Sequence, residues 1–155
     1  MRIVITAVGR LRRGPELTLI EDYLDRFAKA GRSLGLPKVE LIEAEDKRNG
    51  GMEAEAELLS RAVPDGAMVI ALDERGEQVT SPDLAARIAG ARDGARDLCF
   101  VIGGADGIAP ALRDRADLRI SFGRMVWPHM LARVMLAEQL YRAATILAGG
   151  PYHRN

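Results

Sequence analysis

The chain has 155 residues, 48% of them hydrophobic and 28% charged, which suits one domain with a core of its own and no need of a structural metal. Its 22 basic and 22 acidic residues cancel, which excludes a protein that coats nucleic acid indiscriminately. A lone cysteine, Cys99, excludes an internal disulfide, and no apolar run reaches the roughly 18–20 residues of a membrane span.

In chain order, the apolar runs predict strands at Ile3–Val8, Val39–Ala44, Met68–Leu72, Leu98–Ile102 and Leu118–Phe122, several apolar at nearly every position, as strands covered on both faces are. Helical spacing fills the gaps. Glu16–Ala30 places Ile20, Leu24 and Phe27 on one face after Pro15. Met52–Ala62 is acidic and alanine-rich. Ser81 reads as an N-cap, with Pro82 at the first helical position, for a helix through Ala91. Ala109-Pro110 opens a shorter helix, and the longest runs from about His129 to Ala148. The alternation predicts a single α/β domain over residues 1–155, a parallel sheet with helices on both faces.

Such sheets bind ligands outside the carboxyl ends of their strands. Three of these ends stand out: Ala71-Leu72-Asp73-Glu74-Arg75-Gly76, Ile102-Gly103-Gly104-Ala105-Asp106-Gly107 and Phe122-Gly123-Arg124-Met125-Val126-Trp127-Pro128-His129. The Gly103-Gly104 pair allows close backbone approach to a ligand, and equally an ordinary turn. The dinucleotide spacing G-x-G-x-x-G is absent, and Gly9 to Gly14 lacks the Lys-Ser/Thr of a phosphate loop. With two histidines and one cysteine at no ligand spacing, no metal site is expected. Cys99, inside an apolar strand, reads as a buried inert thiol. Asp73-Glu74 and Glu43-Glu45-Asp46 read as solvated loop charges, and Glu138 with Arg142 as a local i,i+4 ion pair. Arg133 shares the helix face of His129. From Arg113 to Asn155 there are seven arginines against three acids, so any RNA contact is expected in that C-terminal third. The tail Tyr152-His153-Arg154-Asn155, read by itself, is frayed and expendable.

Together these pieces resemble one family. The carriers are Leu72-Asp73-x-x-Gly76, Ser81-Pro82-x-Leu84-Ala85, Ile102-Gly103-Gly104-x-x-Gly107, Pro128-His129-x-x-x-Arg133-Val134, Ala137-Glu138-x-Leu140-Tyr141-Arg142-Ala143 and Pro151-Tyr152-His153-Arg154. They are similar to the bacterial 23S rRNA (pseudouridine-N3) methyltransferases, large-subunit methyltransferase H, of the SPOUT superfamily, over essentially the whole chain. With no membrane span and no cleavable signal pattern after Met1-Arg2-Ile3-Val4-Ile5, a cytoplasmic protein is expected by default. The resemblance implies a small homodimer whose C-terminal segment is threaded into a trefoil knot, an exception to the rule against threaded chains. It implies S-adenosylmethionine as methyl donor, held chiefly by backbone at Leu72, Gly103, Gly104 and the segment Gly123, Arg124, Met125, Val126, Trp127 and Pro128. The acceptor it implies is N3 of a pseudouridine in a hairpin loop of 23S rRNA on the assembled ribosome. An imide nitrogen must lose its proton, so a base or a cation is wanted within reach. His129, Arg133, His153 and Arg154 are the candidates, with Arg142, Tyr152, His153 and Arg154 for gripping RNA. Two other classes compete: a non-catalytic ribosome-binding factor, which needs a basic face but no donor pocket, and a metabolic enzyme using another nucleotide, which the missing fingerprints disfavour.

Overall fold

The structure, a computed structural model, describes residues 1–154; Asn155, part of the tail singled out above, lies outside the described residues. The elements in order are β1 (Ile3–Val8), α1 (Pro15–Gly31), β2 (Val39–Ala44), α2 (Gly51–Ala62), β3 (Met68–Glu77), α3 (Ser81–Asp93), β4 (Leu98–Ile102), α4 (Pro110–Arg115), β5 (Leu118–Ile120) and α5 (His129–Leu147). All five strands pair in parallel, in the order β2-β1-β4-β3-β5. The central strand β4 is buried at every position from Leu98 to Ile102.

Side chains alternate across the sheet, which splits each strand between two cores. Ile3, Ile5 and Ala7 of β1 join Ile70, Leu98 and Phe100 beneath α1, α3 and α5. Val4, Val69, Ala71, Cys99 and Val101 face the other way, under α2 and α4. The long helix α5 packs chiefly against α1 and then α3. Leu136 and Leu140 are fully buried there, each stabilising the fold by about 1.5–3 kcal/mol. Among the described residues no helix is long and apolar enough to cross a membrane, and no group of three or more His, Cys, Asp or Glu side chains is placed to hold a metal ion.

Two details depart from the expected elements. Strand β3 continues to Glu77 while β5 stops at Ile120, because the chain bulges after Leu72 and both Leu72 and Glu77 pair with Ile120. At Gly76 a Cβ would stand 2.6 Å from the Arg119 carbonyl carbon, so only glycine lets the bulge lie flat on β5. Past Ile120 the Ser121 hydroxyl donates to the Gly123 carbonyl (2.7 Å) and accepts from the Gly123 N–H (3.0 Å), turning the chain out of the sheet. The cap of α3 is Thr80 rather than Ser81. Its hydroxyl accepts from the Asp83 N–H, and the Asp83 carboxylate accepts in return from the Thr80 N–H, a reciprocal pair that puts Pro82 one position further in.

Candidate active site

Every loop that leaves a strand's carboxyl end emerges at the same edge of a parallel sheet, and at this edge β3, β4, β5 and the first turn of α5 enclose a cleft of about 270 Å³. Its floor is apolar, formed by Leu72, Ile102, Ile108, Ile120 and Phe122 where buried strands run out. One wall is the turn from Gly103 to Gly107, closed by the Gly107 N–H donating to the Gly104 carbonyl at 3.0 Å. A Cβ at Gly103 would overlap the Gly107 carbonyl. At Gly104 it would stand 3.1 Å from a Val8 methyl and from a Glu55 carboxylate oxygen. Gly103 is therefore a steric requirement of this turn, and a side chain at Gly104 would crowd β1 and α2. The opposite wall is Gly123 with Met125, Val126 and Trp127, of which Met125 and Val126 are 75% and 78% exposed.

Asp73 was expected to be a solvated loop charge, yet its side chain is only 5% exposed and lines the cleft. Burial pushes its carboxyl up, but the Arg75 N–H (2.9 Å), the Arg75 guanidinium and nearby Arg113 outweigh this and hold it below the usual carboxylate range. Its place directly after the floor residue Leu72 was the one signal in the sequence, and regular alternation of burial does not extend into the bulged half of β3. Glu55, on α2, reaches the back of the Gly104 turn, where burial and then Asp106 and Asp46 raise its carboxyl.

His129 opens α5 and lines the cleft, its Nδ1 buried without a hydrogen-bond partner. Burial and the positive charge of Arg133 lower its pKa from 6.5, so the imidazole is neutral at pH 7. Arg133 is on the same helix face but its guanidinium turns to the ends of β1 and β2. Only 2% exposed, it donates to Glu43 at 3.0 Å and to the carbonyl oxygens of Val8 and Gly9. Glu43, also expected to be solvated, accepts in addition from the Leu11 N–H at 2.6 Å.

A second cluster lies at the other end of α5. Arg142 and Glu138 form the expected ion pair, which is also the hub for the tail. The Tyr152 hydroxyl donates to Glu138 (3.0 Å), the Tyr152 ring packs on Tyr141 with centroids 4.7 Å apart, and the Arg142 guanidinium lies over the Tyr152 ring at 4.9 Å and 3.3 Å from His153 Nδ1. Burial and Glu138 push the Tyr152 phenol up to about 12, so it stays protonated and donates. Through Tyr152 and His153 the tail is docked, not frayed; Arg154 follows them, exposed.

Of the expected site residues, Leu72, Gly103, Gly104, Gly123, Met125, Val126, Trp127 and His129 line one cleft. Arg124 and Pro128 belong to its loop and are exposed, without lining it. Arg142, Tyr152, His153 and Arg154 do not join them within one chain: thirteen helical steps lead from His129 to Arg142, about 20 Å along the axis.

Residues 1–153 match the family model described as "Predicted SPOUT methyltransferase". The chain is 74% identical over 154 residues to the ribosomal RNA large subunit methyltransferase H of Paracoccus denitrificans (strain Pd 1222), with 99% of each chain covered. It is 66% identical over 154 residues, again with 99% of each covered, to the protein of that name from Cereibacter sphaeroides (strain ATCC 17025 / ATH 2.4.3). Among solved structures, a probable methylase family protein from Haemophilus influenzae Rd KW20 shares the fold, with a TM-score of 0.51 at 14% identity over 99% of this chain and 70% of that one. The chain belongs to the SPOUT methyltransferases and, within them, to the ribosomal RNA large subunit methyltransferase H family.

Proposed function

We propose that this protein transfers a methyl group from S-adenosylmethionine to N3 of a pseudouridine in a hairpin loop of 23S rRNA, acting as a cytoplasmic homodimer on the assembled ribosome. The carrying observation is the cleft itself. Its wall is the bare backbone of a glycine turn, its apolar floor suits a nucleobase, and Asp73, Glu74 and Asp106 outnumber Arg75 along its lining, which favours a cationic donor. Such a pocket serves a donor; a non-catalytic ribosome-binding factor has no use for it. When bound, the donor supplies an electrophilic methyl on a sulfonium whose charge is neutralised on transfer. The protein's work is then alignment, which can contribute up to about 7–11 kcal/mol.

Leu72, Gly103 and Gly104, with the backbone of the segment from Gly123 to Pro128, hold the donor, and that segment is threaded as the trefoil knot of the family. His129, neutral and at the cleft, accepts the imide proton. Arg133 acts through it, since a guanidinium committed to Glu43, Val8 and Gly9 fixes the start of α5 rather than meeting substrate. Arg142, Tyr152, His153 and Arg154 grip the RNA. Arg142 lies about 20 Å from His129 along α5 and the tail docks on Glu138, about 14 Å along, so they reach a cleft on a second copy. The exposed apolar residues Met125, Val126, Trp127, Met130 and Leu131 give that copy a surface to cover.

Incubating the protein and labelled donor with ribosomes that lack the modification, then mapping the methylated nucleotide, tests this reading. Label at N3 of a single pseudouridine in a 23S hairpin is the expected result; donor binding without label in ribosomal RNA would overturn it.

A further inference from the structure

Among the described residues, ten of the nineteen arginines are held in ion pairs, as surface arginines commonly are. The loop after β1, Gly9-Arg10-Leu11-Arg12-Arg13-Gly14, is different. Arg10, Arg12 and Arg13 are all exposed, and among the described residues none of them makes an ion pair or a side-chain hydrogen bond. Three like charges within four positions repel one another, so their clustering has no stabilising value of its own in water.

The loop that carries them is nonetheless pinned. Leu11 is buried at 6% exposure, and its N–H donates to Glu43. Gly9 donates its N–H to the Ala44 carbonyl at 2.8 Å, and Arg133 accounts for the carbonyl oxygens of Val8 and Gly9. The arginines therefore project from a fixed backbone, which lowers the ordering cost of binding. They also sit at the right edge. The loop leaves the carboxyl end of β1, whose last residue, Val8, packs behind Gly104 of the cleft, and it is tied through Arg133 to the helix that begins at His129. Lys47 and Arg48, exposed in the loop after β2, extend the same rim. Acids are present: Glu45 borders the same groove as the three arginines, Glu16 follows in the first turn of α1, and Asp46 is occupied with the N–H groups of Arg48 and Gly50. The loop itself holds three positive charges and no negative one.

We propose that this loop is a second RNA-binding element, clamping phosphates of the ribosomal RNA beside the target hairpin, so that the nucleic-acid surface is not confined to the C-terminal third. The assignment rests on the proposed rRNA acceptor. Guanidinium groups bind phosphate oxygens bidentately and repeat here within a few residues, which suits a polyanion of regular spacing.

The triple variant Arg10→Gln, Arg12→Gln, Arg13→Gln tests it, with donor affinity by calorimetry as the check on folding. Ribosome KM should rise on the order of tenfold or more while kcat at saturating ribosomes holds. The plot of log kcat/KM against log salt should flatten by about 0.7 for each phosphate no longer neutralised. Unchanged KM and an unchanged salt slope would overturn the proposal. A photo-crosslinking residue at position 12 adds a readout independent of turnover: adducts on ribosomal RNA support the clamp, and adducts confined to ribosomal protein overturn it in favour of an acidic protein partner. Wild-type protein that methylates no ribosomal RNA would sink the functional reading instead, and the crosslink would still report on the loop.

Discussion

Single atoms decide most of what happens at the cleft. A side chain at Gly104 must displace either the β1 end or the α2 carboxylate, so Gly104→Val is expected to abolish donor binding, seen as loss of the calorimetric signal with the circular dichroism spectrum intact. Arg124→Ala, in a loop proposed to bind through its backbone, should leave donor affinity within about twofold, since surface substitutions usually cost under about 0.5 kcal/mol. The Arg133–Glu43 pair makes the opposite prediction. Arg133 is 2% exposed, and removing its partner leaves a buried charge uncompensated. Glu43→Ala should destabilise the fold toward the lower end of about 3–5 kcal/mol, because Glu43 itself is 25% exposed; urea denaturation measures it. For His129 the sign runs with acid. Its folded pKa lies below 6.5, so the unfolded chain takes up the proton first and stability falls as pH drops from about 6.5 toward the folded value. Melting curves between pH 7 and pH 5 should show this slope shrink in His129→Gln.

Among the elements, α5 joins the two halves of the proposed chemistry, with His129 in its first turn, Glu138 at its middle and Arg142 one turn further on. The tail extends that helix's function by docking on it. Read from sequence, the tail was expected to cost little stability on removal, for want of apolar burial. The Tyr152 ring on Tyr141 and the hydroxyl on Glu138 change that expectation. Deleting the chain from Tyr152 onward should cost about 0.5–1.5 kcal/mol for the aromatic pair, leave donor affinity unchanged, and reduce methyl transfer to ribosomes by orders of magnitude. Full-rate transfer by the truncated protein would remove the tail from the acceptor site. The pattern of the sequence foretold every α-helix and every strand but β3 to within a few residues, because burial on both faces writes itself as unbroken apolar runs and one-sided burial as helical spacing. It misjudged the end of β3 and the cap of α3. Both are settled by a partner far along the chain or by a competition between adjacent hydroxyls, which no periodicity records.

For the whole molecule, the cleft and the tail cluster stand about 14–20 Å apart along α5, which is why the proposed site calls for a second copy. Light scattering should give about twice 16.9 kDa. Leu131 is 40% exposed on the α5 turn after the cleft, and Leu131→Glu should yield a folded monomer that no longer methylates ribosomes. A fully active monomer at micromolar concentration would refute the dimeric site.

The residues in order sufficed for the parallel α/β architecture, the strand ends that form the cleft, the glycine turn and the family, since all of these rest on local patterns of apolar and small side chains. Tertiary structure alone decided which charges are solvated and which are buried. Asp73 and Glu43 look like the neighbouring acids Glu74 and Glu45 in sequence, yet one is enclosed by Arg75 and Arg113 and the other neutralises Arg133 from ninety residues away. It also decided that His129 and His153 stand apart in one chain while Arg10, Arg12 and Arg13 share with Glu45 a groove of their own beyond the end of β1. Charge leaves no periodic trace along a chain, and whether a charge is free or spent depends on partners that only folding brings near.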